Sequence, residues 1–236
     1  MNLIVDQGNT NTKLAVYHKD EVLNEIALPS IEISTIEEWI GTDASDCTQV
    51  LISSVINEPL KIEGKRIIQF DSNTDLPIFN KYGTPETLGK DRLANAVAIW
   101  KKNPDKNSLV IDLGTCIKYD LVNAEGAYLG GNISPGLQMR YSALNHYTGK
   151  LPLIQPTNEY GNYGKSTQTS IQEGVQQGIH HEIMGFIRRY DEEMTGLTIF
   201  MTGGDLKYFD IEYKSPIFAD SSLTLFGLNE ILKHNT

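Results

Sequence analysis

An acid, a glycine, a run of short polar side chains and a lysine follow one another in Asp6-Gln7-Gly8-Asn9-Thr10-Asn11-Thr12-Lys13, directly after the apolar residues Leu3, Ile4 and Val5. Glycine in a turn permits positive φ and close approach, so successive backbone N–H groups there can converge on phosphate oxygens. Thr10 adds a hydroxyl donor and Lys13 a positive charge. Asp6, a carboxylate, suits a cation and its water shell better than it suits phosphate directly. A ligand-free hairpin turn uses the same residue types, because Asp and Asn favour such turns unaided.

The pattern recurs. Leu109-Val110-Ile111-Asp112-Leu113-Gly114-Thr115 repeats the apolar run, the Asp, an arbitrary residue, the Gly and then Asn or Thr. Each copy is followed by a strand-like run, Thr12 to His18 in one and Ile117 to Val122 in the other, which points to an internal duplication. A third glycine turn, Thr202-Gly203-Gly204-Asp205, closes another apolar run. Two matching turns and this third one outline a nucleoside-triphosphate site better than three unrelated turns would. Neither G-x-x-x-x-G-K-[ST] nor G-x-G-x-x-G occurs, which removes the P-loop and dinucleotide fingerprints.

Short strands and helices must hold these turns. Alternating apolar residues predict strands over 2–6, 12–18, 23–28, 49–53 and 66–70, with a helix near 36–40. From Arg92 the period changes: Leu93, Ala96, Val97 and Trp100 predict an amphipathic helix that stops at Asn103-Pro104. The polar segment Lys101 to Asn107 is the predicted domain boundary, which divides the chain into 1–104 and 105–236. The second half opens on the strand-like repeat that begins at Ser108 and continues with strands over 117–122 and 127–133 and a helix over 137–147. A long helix over 166–190 presents Ile171, Val175, Ile179, Ile183 and Ile187 on one face. Its Gly174, Gly178 and Gly185 each cost about 1 kcal/mol relative to Ala, so tight helix packing or a dimer contact is expected there. A strand at 197–201, a short apolar segment at 216–219 and a final helix at 222–233 end the chain.

The formal net charge is −10 with 20 basic and 30 acidic residues in 236, and no basic run is present, which argues against nucleic acid or an anionic membrane as partner. Small molecules fit better. No segment has the apolar length of a signal peptide or membrane span, so the expected location is cytoplasmic. Cys47 and Cys116 are too few for a disulfide framework or zinc cluster and read as structural thiols. The five histidines show no metal-ligand spacing.

These turns resemble those of the superfamily of actin, sugar kinases, acetate kinase and heat-shock chaperones, in which two ribonuclease-H-like halves each offer an acidic glycine turn to ATP. Gly89-Lys90-Asp91-Arg92, Gly130-Gly131-Asn132-Ile133-Ser134-Pro135-Gly136 and Ser166-Thr167, read with the opening D-x-G-N-T, narrow the resemblance to type III pantothenate kinase. It covers nearly the whole chain in order and spacing. The implied fold is α/β: two tandem ribonuclease-H-like domains of the actin-like ATPase kind, with mixed sheets flanked by helices. The implied activity is phosphorylation of pantothenate by ATP to 4′-phosphopantothenate, the first step of coenzyme A biosynthesis, in a homodimer that uses Mg2+ and a monovalent cation, potassium or ammonium.

The resemblance assigns ATP phosphates to Asp6, Gln7, Gly8, Asn9, Thr10, Asn11, Thr12 and Lys13, a further nucleotide contact to Thr115, and the monovalent cation to Asp112. It assigns the catalytic base to Asp91 and the pantothenate pocket to Tyr82, Gly89, Lys90, Asp91, Arg92 and Thr167. A carboxylate within hydrogen-bond reach of a primary hydroxyl is chemically suited to accept its proton during attack on phosphorus. Arg92 suits an anionic substrate, because a guanidinium fork matches a carboxylate. Capping of the following helix is the alternative role for Asp91, and Thr167 has the alternative of a first helical residue after a Ser166 cap. The second turn departs from the family at Cys116 and Lys118, and Lys118 bears on the nucleotide or cation site. Two other functions share the fold: hydrolysis of a phosphate anhydride, with water as acceptor, and nucleotide sensing without turnover.

Overall fold

The computed structural model describes residues 1–56, 60–159 and 161–236. They form two compact units, Met1–Lys102 with Ser222–Thr236, and Asn103–Ser221.

In the first unit, strands β1 (Asn2–Gln7), β2 (Asn11–His18), β3 (Glu21–Pro29), β4 (Gln49–Ser54) and β5 (Arg66–Gln69) form a sheet in the order β3-β2-β1-β4-β5. The first three are joined by short turns and run antiparallel, whereas β1, β4 and β5 pair in parallel, which requires longer crossovers. Helix α1 (Ile33–Thr42) lies in one of these crossovers and places Ile36 and Ile40 on Leu3, Val5, Leu14, Val16, Val50 and Ile52. Strand β6 (Phe79–Asn80) and a 3-10 turn at Pro85–Thr87 lead into helix α2 (Lys90–Lys102).

The last helix, α5 (Leu223–His234), packs against α2, β1, β2 and β4. This corrects the predicted division at 104/105: the break after Lys102 falls close to it, but residues 222–236 return to the first unit. Gly227 is the reason the return is so close. A Cβ there would stand 1.9 Å from the Ala94 carbonyl oxygen of α2, so a larger residue would force the helices apart. Thr224 Oγ1 donates to Asn95 Oδ1 at 2.8 Å, and Asn2 Nδ2 donates to Asn229 Oδ1 at 2.9 Å.

The second unit repeats the plan. Strands β7 (Ser108–Leu113), β8 (Cys116–Val122) and β9 (Ala127–Pro135) pair antiparallel, and β7, β10 (Thr198–Thr202) and β11 (Ile217–Ala219) pair in parallel, in the order β11-β10-β7-β8-β9. Equal strand order and direction in both units bear out the internal duplication read from the two acidic turns. Leu109, Ile111, Ile117 and Tyr119 meet Ile179, Ile183 and Ile187 of α4 (Thr167–Glu193) in one core. Full burial of each such isoleucine contributes about 1.5–3 kcal/mol. Helix α3 (Leu137–Tyr147) packs beside α4.

One packing expectation fails within the chain. A Cβ at Gly174, Gly178 or Gly185 would meet nothing within 4 Å among the described residues. These glycines lie off the buried isoleucine face of α4, so no helix among the described residues uses the space they leave.

Candidate functional site

In the first unit the turn between β1 and β2 carries the predicted phosphate contacts. Asp6 opposes Lys13 and Gln7 opposes Thr12 across the hairpin. Gly8 N donates to Asn11 O at 3.0 Å, which closes the turn. Asn9, Thr10 and Asn11 are exposed at its tip, and Asp6, Gly8 and Lys13 are half-buried. Ser30 holds the turn from beneath: its Oγ donates to Gly8 O at 2.7 Å and its N to Thr10 O at 2.9 Å. Thr12 is fully buried with its hydroxyl 2.9 Å from Ser30 Oγ, so its side chain braces the turn from inside. Ser30 was not legible as a functional residue, because nothing in its neighbourhood marks which turn it reaches.

Gln7 is 2% exposed. Its Oε1 accepts from Ser54 Oγ at 2.8 Å, while its Nε2 has no hydrogen-bond partner among the described residues. A buried donor left unpaired costs about 1–3 kcal/mol, and that cost disappears when a ligand oxygen is supplied.

The Gly89-Lys90-Asp91-Arg92 string joins this turn through β4: Lys90 Nζ donates to Ser54 O at 3.2 Å, and the same Ser54 donates to Gln7. Helix α2 begins at Lys90, so Asp91 stands inside its first turn and not at the cap position. Its Oδ1 accepts from Arg92 N at 2.9 Å, and a carboxylate there interacts favourably with the helix dipole. Gly89 leaves the room: a Cβ would lie 2.6 Å from Asp91 Oδ1. Arg92 is 4% exposed, with its guanidinium carbon 5.4 Å from the centroid of the Tyr82 ring, a cation–π arrangement. The structure thus brings Tyr82, Gly89, Lys90, Asp91 and Arg92 together.

In the second unit Asp112, Thr115 and Thr167 are found. Asp112 ends β7 at 8% exposure, and Lys118 opposes it on β8 with Nζ 2.7 Å from Oδ2. Thr115 is exposed at the tip. Gly136, the last residue of the predicted G-G-x-I-x-P-G string, donates its N–H to Thr115 O at 3.1 Å. The Thr202-Gly203-Gly204-Asp205 turn seats on the same strand end. Thr202 pairs with Asp112, and Asp205 N donates to Leu113 O at 2.9 Å. Gly203 has φ +103°, and a Cβ would stand 2.4 Å from the Leu113 carbonyl oxygen. Burial raises the Asp205 carboxyl pKa, with Lys207 acting in the opposite direction. Three predicted glycine segments therefore converge on one strand end.

Thr167 is the first residue of α4, after a Ser166 cap that accepts from Thr169 N at 3.2 Å. It lines an open groove with Arg140, Leu144, Tyr147, Thr148 and Ile171. Arg140 and Glu182 are residues that sequence reasoning missed. Arg140 donates to Glu182 Oε2 at 2.6 Å and to Pro135 O at 2.8 Å, and Ser134 Oγ and Tyr119 OH donate to Glu182 Oε1 at 2.5 and 2.9 Å. Burial pushes the Glu182 carboxyl pKa up, but these hydrogen bonds outweigh it and hold it below the usual range. A lone acid beside the isoleucine face of α4 was the available signal.

The cation expectations separate here. Magnesium fits Asp6, since that ion is held by one or two carboxylates together with substrate phosphates; no cluster of three or more acidic, His or Cys ligands occurs among the described residues. The expected monovalent cation at Asp112 does not fit, because the Lys118 ammonium already supplies a positive charge to that carboxylate. No helix among the described residues is long and apolar enough to cross a membrane.

Known proteins resemble this chain in sequence and in fold. A profile of the type III pantothenate kinase family matches residues 2–189. A type III pantothenate kinase of Bacteroides fragilis is 42% identical over 241 residues, which span 100% of this chain and 98% of that protein. Among solved structures, a Campylobacter jejuni protein described as a Baf family transcriptional activator superposes with TM-score 0.65 at 21% identity, over 99% of this chain and 98% of its own. The activator of 2-hydroxyisocaproyl-CoA dehydratase from Clostridium difficile, solved with bound ADPNP, gives TM-score 0.57 at 12% identity, over 99% and 96%. The last two likenesses concern the fold alone, which is that of the actin-like ATPases and sugar kinases.

Proposed function

The chain belongs to the type III pantothenate kinase family, and from that premise we propose how its residues divide the reaction. The enzyme transfers the γ-phosphoryl group of ATP to pantothenate, an alcohol acceptor, and so makes 4′-phosphopantothenate for coenzyme A biosynthesis. The observation that carries this function is identity of 42% across the full chain.

In our reading the exposed tip Asn9 to Asn11, the backbone of Gly8, the amide of Gln7 and the ammonium of Lys13 hold ATP phosphates. The unpaired Gln7 Nε2 supports this, since a phosphate oxygen would satisfy it. Asp6 would hold Mg2+, and the ion would supply neutralisation of phosphate charge. Asp91 accepts the proton of the attacking hydroxyl from its place in the first turn of α2. Arg92, held over Tyr82, receives the pantothenate carboxylate. We assign Thr115 to the nucleotide and Thr167 to pantothenate.

We place the reaction in the cytoplasm, where its co-substrate ATP is made and used, and assign a homodimer. Open space beside Gly174, Gly178 and Gly185, together with the 83% exposure of Tyr147, supports a second copy packing on α3 and α4.

The test is ATP turnover with magnesium, with and without pantothenate, followed by mass spectrometry of the product. Phosphorylated pantothenate formed only when the acceptor is present is the expected result. Equal ATP consumption without acceptor would replace this function with anhydride hydrolysis, and nucleotide binding without turnover would replace it with sensing.

A further inference from the structure

We propose that the Lys118 ammonium is a tethered substitute for a monovalent cation at the second turn, so that this chain binds ATP and transfers phosphate without potassium or ammonium ions. The assay rests on the kinase function above; the content rests on the geometry of β7 and β8.

Asp112 and Lys118 are direct partners in the antiparallel register of these strands, and directly opposed residues project from the same face of a sheet. Their side chains meet at 2.7 Å with exposures of 11% and 15%. A carboxylate so withdrawn from water requires a compensating charge. An alkylammonium is a compact charge with three donors, and its head has the chemistry of the ammonium ion itself. It is therefore a close stand-in for an ion of that size beside a carboxylate.

Its location makes the charge useful. Asp112 lies at the strand end where the Gly114–Thr115 turn begins, and Thr202 and the Gly203 turn flank it on β10. The fixed positive charge thus sits at the strand end from which the Gly114–Thr115 turn departs. A free potassium ion placed beside Asp112 would meet the like charge of Lys118 and compete with a group that pays no entropy of capture. In the first unit Lys13 occupies the corresponding register position opposite Asp6.

The experiment compares the wild-type protein with Lys118→Ala in potassium chloride and in tetramethylammonium chloride at equal ionic strength, with sodium and ammonium excluded. Three quantities are read: phosphopantothenate formation, ATP affinity and the melting temperature. The wild type is expected to show the same rate, affinity and melting temperature in both salts. Lys118→Ala is expected to lose about tenfold or more in ATP affinity without potassium and to regain affinity, rate and melting temperature when potassium fills the vacated space. A wild type that needs potassium would overturn the proposal, and that measurement requires no variant to fold. A folded Lys118→Ala protein that potassium fails to restore would overturn it as well, since the lysine would then act by its own contacts. Absence of phosphopantothenate from the wild type in every salt would instead overturn the kinase function, and the ATP-affinity measurements would still decide the cation question.

Discussion

At the β1–β2 turn Asp6 faces Lys13 across the hairpin, and three exposed polar residues, Asn9, Thr10 and Asn11, form the tip. At the β7–β8 turn Asp112 faces Lys118, the connection is one residue shorter, and Thr115 is the polar side chain left at the tip. The duplicated pattern thus keeps an acid–lysine pair at the base of each turn and changes what stands above it. The braces differ too. Ser30, together with the buried Thr12 hydroxyl, holds the first turn, whereas the backbones of Gly136 and of the Gly203 turn hold the second. The first turn is also tied through Ser54 to the α2 terminus that carries Asp91. We read the first turn with α2 as the place of phosphate contact and proton acceptance, and the second as a rigid seat of fixed charge.

The strongest way to sharpen that contrast is Asp91→Asn. The rate of phosphate transfer should fall by about 10²–10⁴-fold, the range of a lost general base, with ATP affinity retained. Steady-state turnover and nucleotide titration check this, and full turnover would remove the proton-accepting role from the first unit.

Gly203→Ala tests the rigidity of the second turn. The added Cβ at φ +103° would press on the Leu113 carbonyl, so stability should drop by roughly 3 kcal/mol, read from denaturant unfolding. An unchanged midpoint would show that the second turn yields as easily as the first.

Lys13→Met removes a charge from the first turn and should weaken ATP binding by roughly ten- to hundredfold, the worth of a hydrogen bond to a charged group. Potassium should not restore it, in contrast to Lys118→Ala. Restoration by potassium would make the two lysines equivalent and break the comparison.

The smallest effect is expected for Ser30→Ala, which deletes the bond to Gly8 O and leaves Thr12 Oγ1 without this partner. A loss of about 1 kcal/mol is expected, measured by thermal or denaturant unfolding. A loss as large as that of Gly203→Ala would place equal rigidity in both turns.

Much of this was legible in the sequence because its signals are local. Apolar runs marked the strand over 2–6 and its repeat after Ser108, four-residue spacing set α4, and Ser166 marked its start. The acid–x–glycine turns and the G-x-D-R string are contiguous, so their residues were identified before any contact was known. What the tertiary structure alone decided involves partners distant in the chain. The return of α5 to the first unit depends on Gly227 meeting Ala94, and Ser30 reaches Gly8 across a sheet edge. The Arg140–Glu182 pair clamps Ser134 from two separate helices. Most consequential is Lys118: as a residue type it was only a departure from a pattern. Strand register placed its ammonium on Asp112, because a period of two sends opposed side chains to one face whatever the turn between them contains.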